Sequence, residues 1–129
     1  MLVKLMFALL ALFLAAEGSS LVGAPISADM NETEVQDALQ FAVVQHNRAS
    51  NDMWTSQVTK VIRVQKQVVA GLKYIFTVEM ARTSCKKGGV LEKCEVHSDP
   101  SIAKPHECRL AVWSRPWLGK TEVVENTCK

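Results

Sequence analysis

The chain has 129 residues, 48% of them hydrophobic and 22% charged, with a formal net charge of +2. That balance fits one small globular domain and excludes a strongly acidic or basic polypeptide. The basic residues are scattered apart from Lys86-Lys87, so there is no electrostatic argument for nucleic acid or an anionic membrane as a partner.

The chain opens with Lys4, an unbroken apolar run from Leu5 to Ala16, and the small-residue pattern Ala16-Glu17-Gly18. This order reads as a secretory signal peptide over residues 1–18, too short to span a bilayer as a helix. Its removal takes away one cation, Lys4, and one anion, Glu17, so the charge stays at +2. The reading is a secreted, extracellular protein whose mature domain covers residues 19–129.

Residues 19–30 contain Gly23 and Pro25 without a clear period and read as an extended N-terminal trunk. Asn31 then fits a helix N-cap with Glu34 three residues on. Val35, Ala38, Leu39, Ala42, Val43 and His46 follow at helical spacing, which predicts one amphipathic helix ending near Ala49, before Ser50-Asn51-Asp52. Asn31-Glu32-Thr33 is also an N-glycosylation sequon, in competition with the capping role of Asn31.

Beyond Trp54 the period changes. Residues 57–66 are rich in Val, Ile and Thr, and Leu72, Tyr74, Phe76, Val78 and Met80 alternate with more polar residues, which predicts two strands with one face buried. Gln67 to Gly71 separates them as a five-residue hairpin loop. Residues 84–105 carry Gly88-Gly89, Asp99-Pro100 and Pro105 and read as an irregular excursion. Cys108, Leu110 and Val112 begin another strand, and a loop over residues 114–119 leads to a last strand. Trp54 and Trp113 fall in strand patterns and read as core or edge packing. One helix against an antiparallel sheet is an α+β domain.

The four cysteines, Cys85, Cys94, Cys108 and Cys128, lie in the C-terminal third. Export into an oxidising compartment favours disulfides, but four cysteines allow three pairings and spacing alone does not choose among them. Sequential pairing would close two short loops worth about 3 kcal/mol each. The competing reading is zinc, since Cys94-x-x-His97 and His106-x-Cys108 resemble ligand pairs; the even count in an exported chain favours bridges, with no metal.

An enzyme would need a nucleophile, a base in reach and a group to orient it. His46 belongs to the helix, His97 and His106 to the excursion or its margin, and no P-loop, Gly-x-Ser-x-Gly or His-Glu-x-x-His occurs. The chain does not read as an enzyme, and no cofactor is implied. It does carry apolar residues where turns are usually polar: Gln67-Val68-Val69-Ala70-Gly71, Pro116-Trp117-Leu118, and Leu21-Val22-Gly23 in the trunk. Two readings stand for these, a contact surface or a minor core folded back on the sheet.

These residues carry a resemblance to the secreted, two-disulfide cystatins over essentially the whole mature length. The Gln-x-Val-x-Gly signature is intact at residues 67–71, the Pro-Trp pair is Pro116-Trp117, and the N-terminal glycine is Gly23. Similar stretches occur at Ala38-Leu39-Gln40-Phe41-Ala42, Asn47-Arg48-Ala49-Ser50-Asn51-Asp52 and Arg82-Thr83-Ser84-Cys85. The resemblance implies a five-stranded antiparallel sheet around the helix and the bridges Cys85–Cys94 and Cys108–Cys128. It further implies reversible, competitive, tight-binding inhibition of papain-like cysteine proteases such as cathepsins, by a wedge of trunk and two hairpins. In that wedge Leu21 and Val22 fill non-primed subsites, Gln67, Val68, Val69, Ala70 and Gly71 cover the catalytic centre, and Pro116 and Trp117 meet the primed-side wall.

In some family members the loop equivalent to residues 50–52 inhibits asparaginyl endopeptidases of the legumain type. Asn51 matches, although the plain reading there is a helix-terminating turn. The rival from another class is a cystatin-fold binding module without inhibitory activity, but such relatives lose the Gln-x-Val-x-Gly or Pro-Trp residues, and both are retained. The expected state is a monomer, with domain-swapped dimers conceivable if β-branched Val69 is strained at its hairpin tip.

Overall fold

The computed structural model describes residues 23–89 and 93–129. The expected leader at residues 1–18, and Leu21 and Val22, lie outside the described residues. The elements in order are β1 (Ile26–Ser27), α1 (Thr33–Ala49), β2 (Trp54–Val69), β3 (Gly71–Lys86), α2 (Pro100–Ala103), β4 (His106–Arg115), a 3₁₀ turn (Pro116–Leu118) and β5 (Lys120–Cys128). The five strands form one antiparallel sheet in the order β1-β2-β3-β4-β5. Each long strand therefore pairs with its chain neighbour, and α1 packs across one face of the sheet.

The core is where the two periodicities meet. Val35, Ala38, Leu39 and Ala42 recur at helical spacing on α1 and are buried against Tyr74, Phe76, Val78 and Met80 of β3 and Leu110 and Val112 of β4. The sheet period of two brings each of those strand residues to the same face. Two buried residues on the other face, Ile75 and Ala111, are direct partners across the β3–β4 ladder. Asn47 ties the end of α1 to β2: its side-chain amide donates to the Ser56 carbonyl at 3.0 Å and accepts from the Ser56 amide at 2.8 Å. Among the described residues no helix is long and apolar enough to cross a membrane.

Local details depart from the sequence expectations. The helix begins at Thr33, with Glu32 in the cap position and no side-chain cap bond, so Asn31 is not the N-cap. Instead Asp29 organises the turn, its Oδ1 accepting from the Asn31 amide at 2.9 Å and its carbonyl from the Glu32 amide at 3.1 Å. A carboxylate two residues upstream competes for the same turn, and Asn31 is left exposed.

The first hairpin has no five-residue loop. The β2–β3 ladder runs through Gln67↔Lys73 and Val68↔Leu72 to Val69↔Gly71, leaving Ala70 alone at the tip. Gly71 makes this closure with a φ of 95°, while Lys93 and Lys104 are the positive-φ residues other than glycine among the described positions. The positive φ of this closure falls on Gly71, where glycine adopts it without a steric penalty, and Val69 is not among the positive-φ residues. The excursion after β3 also contains a short helix, α2, whose cap is Asp99; its side chain accepts from the Ser101 amide at 2.9 Å.

All four cysteines are bridged, as Cys85–Cys94 and Cys108–Cys128. His106 does lie close to Cys108 and Cys128, but both sulfurs there belong to a disulfide and are not thiolate ligands.

Candidate functional site

Both hairpin tips and the visible end of the trunk meet at one end of the sheet. The trunk is docked there: the Gly23 amide donates to the Val68 carbonyl at 2.9 Å, and Gln67 Nε2 donates to the Gly23 carbonyl at 2.8 Å. Further along, the Ala28 amide donates to the Val64 carbonyl at 3.0 Å, and Ile26 and Ser27 pair with Lys66 and Gln65. The trunk therefore runs as a short edge strand beside β2 and delivers its N-terminal side to the first tip. Gly23 allows a close approach: a Cβ there would sit 3.3 Å from the Val68 carbonyl oxygen, so a side chain would have to push that neighbour aside by a few tenths of an ångström. The side chain of Gln67 is spent on holding the trunk, a contact across 44 residues that motif reading does not disclose.

The apolar turn residues are on the surface. Val68 is 60% exposed, Trp117 62% and Leu118 53%, while Val69 is half-buried. The minor-core reading of these positions fails for Val68 and Trp117. Val68, Val69, Pro116 and Trp117 instead wall an open groove of about 1060 Å3, whose floor includes Leu72, Tyr74 and Phe41. Burial, and then Glu34 and Glu32, push the Tyr74 phenol above its ordinary value, so this ring is neutral at physiological pH. The exposed part of this end is mostly apolar, with the carboxylates of Glu34 and Asp37 along the helix side of the groove. Such a surface gains about 25 cal/mol per Å2 when covered, and its backbone is already ordered, so little entropy is lost on docking.

The two tips are set against each other by close packing. A Cβ added at Gly71 would approach the Ser114 carbonyl oxygen well inside the 3.0 Å that real Cβ atoms keep. The second tip closes over Pro116–Leu118, with the Gly119 amide donating to the Pro116 carbonyl at 3.0 Å and Gly119 at φ 61°. Pro116 pre-sets the turn and Gly119 supplies the left-handed exit, leaving Trp117 projecting at the apex.

Asn51 lies at the opposite end of β2, in the connection from α1. The segment around it is tied down on both sides. Ser50 Oγ accepts from the Asp52 amide at 3.0 Å, Asp52 Oδ1 from the Trp54 amide at 3.2 Å, and Asp52 Oδ2 pairs with Arg82 Nε at 2.5 Å. Lys87 adds two bonds, from its ammonium to the Ser50 carbonyl and from its amide to the Met53 carbonyl. Burial works to raise the Asp52 pKa, but the Trp54 amide and the cations of Arg82 and Lys87 outweigh it and hold the carboxyl below its usual value. Asn51 itself stays exposed on this anchored turn.

Two residues read from sequence only as packing do more. Trp54 packs edge-on against His97, with ring centroids 5.1 Å apart. Trp113 donates its indole N–H to the carbonyl of Ala70 at 2.7 Å, reaching the first tip from β4. No local signal marks this bond, because it depends on the β3–β4 register.

Comparison with known proteins agrees with this arrangement. A family described as cystatin domain matches residues 23–117. The chain is 52% identical over 126 residues to a cystatin of Oncorhynchus keta, covering 98% of this chain and 97% of that one. Among solved structures, one named Al-CPI superposes with a TM-score of 0.74 at 31% identity, covering 83% of this chain and 98% of the other. Dimeric human cystatin F superposes with a TM-score of 0.69, also at 31% identity, covering 83% and 86%.

Proposed function

The chain belongs to the cystatin family, whose members are protease inhibitors and not enzymes, and from that premise we propose that it inhibits papain-like cysteine proteases as a reversible, competitive wedge. The observation that carries this reading is the docking of Gly23 onto Gln67 and Val68, which brings the trunk into line with an exposed first tip and an exposed Trp117. Leu21 and Val22 would continue from Gly23 into the non-primed subsites. Gln67, Val68, Val69, Ala70 and Gly71 would cover the catalytic centre, and Pro116 and Trp117 the primed side. Cleavage needs a carbonyl held about 3 Å from the nucleophile in attack geometry. Closed hairpin tips do not thread a peptide bond through the cleft, so the inhibitor is released intact. Residues 1–18 are read as the export leader and the two disulfides as suited to the extracellular compartment.

The test is titration of papain with purified residues 19–129, which should abolish hydrolysis of a fluorogenic peptide; full activity at micromolar inhibitor would reject the proposal. Gly23→Trp should weaken inhibition at least about tenfold, chiefly by faster dissociation, because even a Cβ there crowds the Val68 carbonyl at 3.3 Å and a bulky side chain would displace the docked trunk. Equal dissociation rates for the two proteins would remove the trunk from the contact.

A second reading is favoured by the anchored turn around Asn51. An exposed asparagine whose flanks are fixed by Asp52, Arg82 and Lys87 suits capture by an asparaginyl endopeptidase. Its position at the far end of β2 keeps it away from the wedge. Asn51→Lys should abolish inhibition of a legumain-type protease and leave papain inhibition unchanged. Loss of both activities, or of neither, would sink this second site.

A further inference from the structure

Hairpin tips are two-stranded ribbons, and such ribbons twist and splay easily when nothing ties them together. The β3–β4 ladder here begins at Leu72↔Ser114, so Ala70 overhangs it, and Pro116–Leu118 overhangs the same end beyond Arg115. One chain of contacts crosses the gap. Trp113 Nε1 donates to the Ala70 carbonyl at 2.7 Å. The Arg115 guanidinium lies 3.7 Å from the centre of the Trp113 ring, and its Nη2 donates to Glu122 Oε1 at 2.6 Å. Arg115 is mostly buried, with a side-chain exposure of 17%. Its Cγ lies against Gly71, only 3.3 Å from where a Cβ would be.

We propose that Trp113 and Arg115 are positioning residues that fix the first hairpin tip at a set height against Trp117. The brace runs from the first tip through β4 to Glu122 on β5, and so spans both arms of the second hairpin. A planar guanidinium suits this place because it stacks on the indole face and pairs with a carboxylate in its own plane at once. The indole N–H reaches a carbonyl that the ladder leaves over, and so satisfies it. The consequence is functional: a rigid cleft rewards two anchors only when their spacing is already correct. This inference rests on the wedge reading.

The test is a set of papain association and dissociation rates for wild type, Trp113→Phe, Arg115→Gln, Trp117→Ala, and Trp113→Phe combined with Trp117→Ala. Trp113→Phe keeps an aromatic ring under Arg115 and loses only the N–H. Dissociation should speed up about 3- to 10-fold, while the thermal midpoint moves by less than about 4 °C. Arg115→Gln should act in the same direction. In the Trp117→Ala background the effect of Trp113→Phe should shrink to below about twofold, because spacing no longer matters once the second anchor is gone. Fully additive effects would overturn the proposal, since they would mean that Trp113 touches the protease itself or merely supports the fold. Faster dissociation for Trp117→Ala with none for either brace variant would overturn it as well. A wild-type chain that leaves papain active would instead remove the wedge reading, and this inference with it.

Discussion

Gly71→Ala is expected to destabilise the domain by about 2–4 kcal/mol and to raise the inhibition constant for papain by at least about 30-fold. Two costs coincide at this position. Its φ of 95° lies where residues with a Cβ are strained, and the added methyl would overlap the Ser114 carbonyl oxygen. That oxygen is backbone in a paired strand and cannot rotate aside. The structure can relieve the overlap only by opening the Val69↔Gly71 closure or by separating the two hairpins, and either response moves Val68 and Ala70. Gly119→Ala separates the two costs: Gly119 has φ 61° but nothing within 4 Å of an added Cβ. It should lose only about 1 kcal/mol. Denaturant unfolding of both variants, with papain titration of each, checks the argument. Equal losses at the two glycines would show that the contact with Ser114 is unimportant.

The core faces were readable from sequence because a single element encodes each of them. Helical spacing picked out Val35, Ala38, Leu39, Ala42, Val43 and His46, and alternation picked out Leu72, Tyr74, Phe76, Val78 and Met80; Val43, His46 and Leu72 are partly buried at the margin and the other eight are buried. The errors fall where two segments compete or cooperate at long range. Asp29 rather than Asn31 organises the entry to α1, since both side chains suit the same turn. Residues 67–69 looked like a loop because an apolar tip and an apolar strand have the same composition, and only pairing with residues 71–73 separates them. The sequence left the disulfide pairing open, and the pairing implied by family resemblance is the one present. The Gln67–Gly23 and Trp113–Ala70 bonds had no local signature, since each joins segments more than 40 residues apart.

Trp117→Ala should separate binding from stability more cleanly than any change at the first tip. The side chain is 62% exposed at the apex of a 3₁₀ turn, and the turn is closed by the Gly119–Pro116 backbone bond rather than by the indole. Truncation there should change folding stability by no more than about 0.5 kcal/mol. A buried aromatic anchor in an interface is worth about 2 kcal/mol, or roughly 30-fold in affinity, with most of the loss in the dissociation rate. Leu118, 53% exposed beside it, adds a smaller apolar area, so Leu118→Ala provides a graded companion. The contrast with Gly71 is the point of the experiment. Gly71 should lose stability and affinity together because it sets where the tips stand, whereas Trp117 should lose affinity alone because it only presents a surface. If Trp117→Ala binds papain as tightly as wild type, the second hairpin is not an anchor. The exposed indole would then need a different partner to account for it.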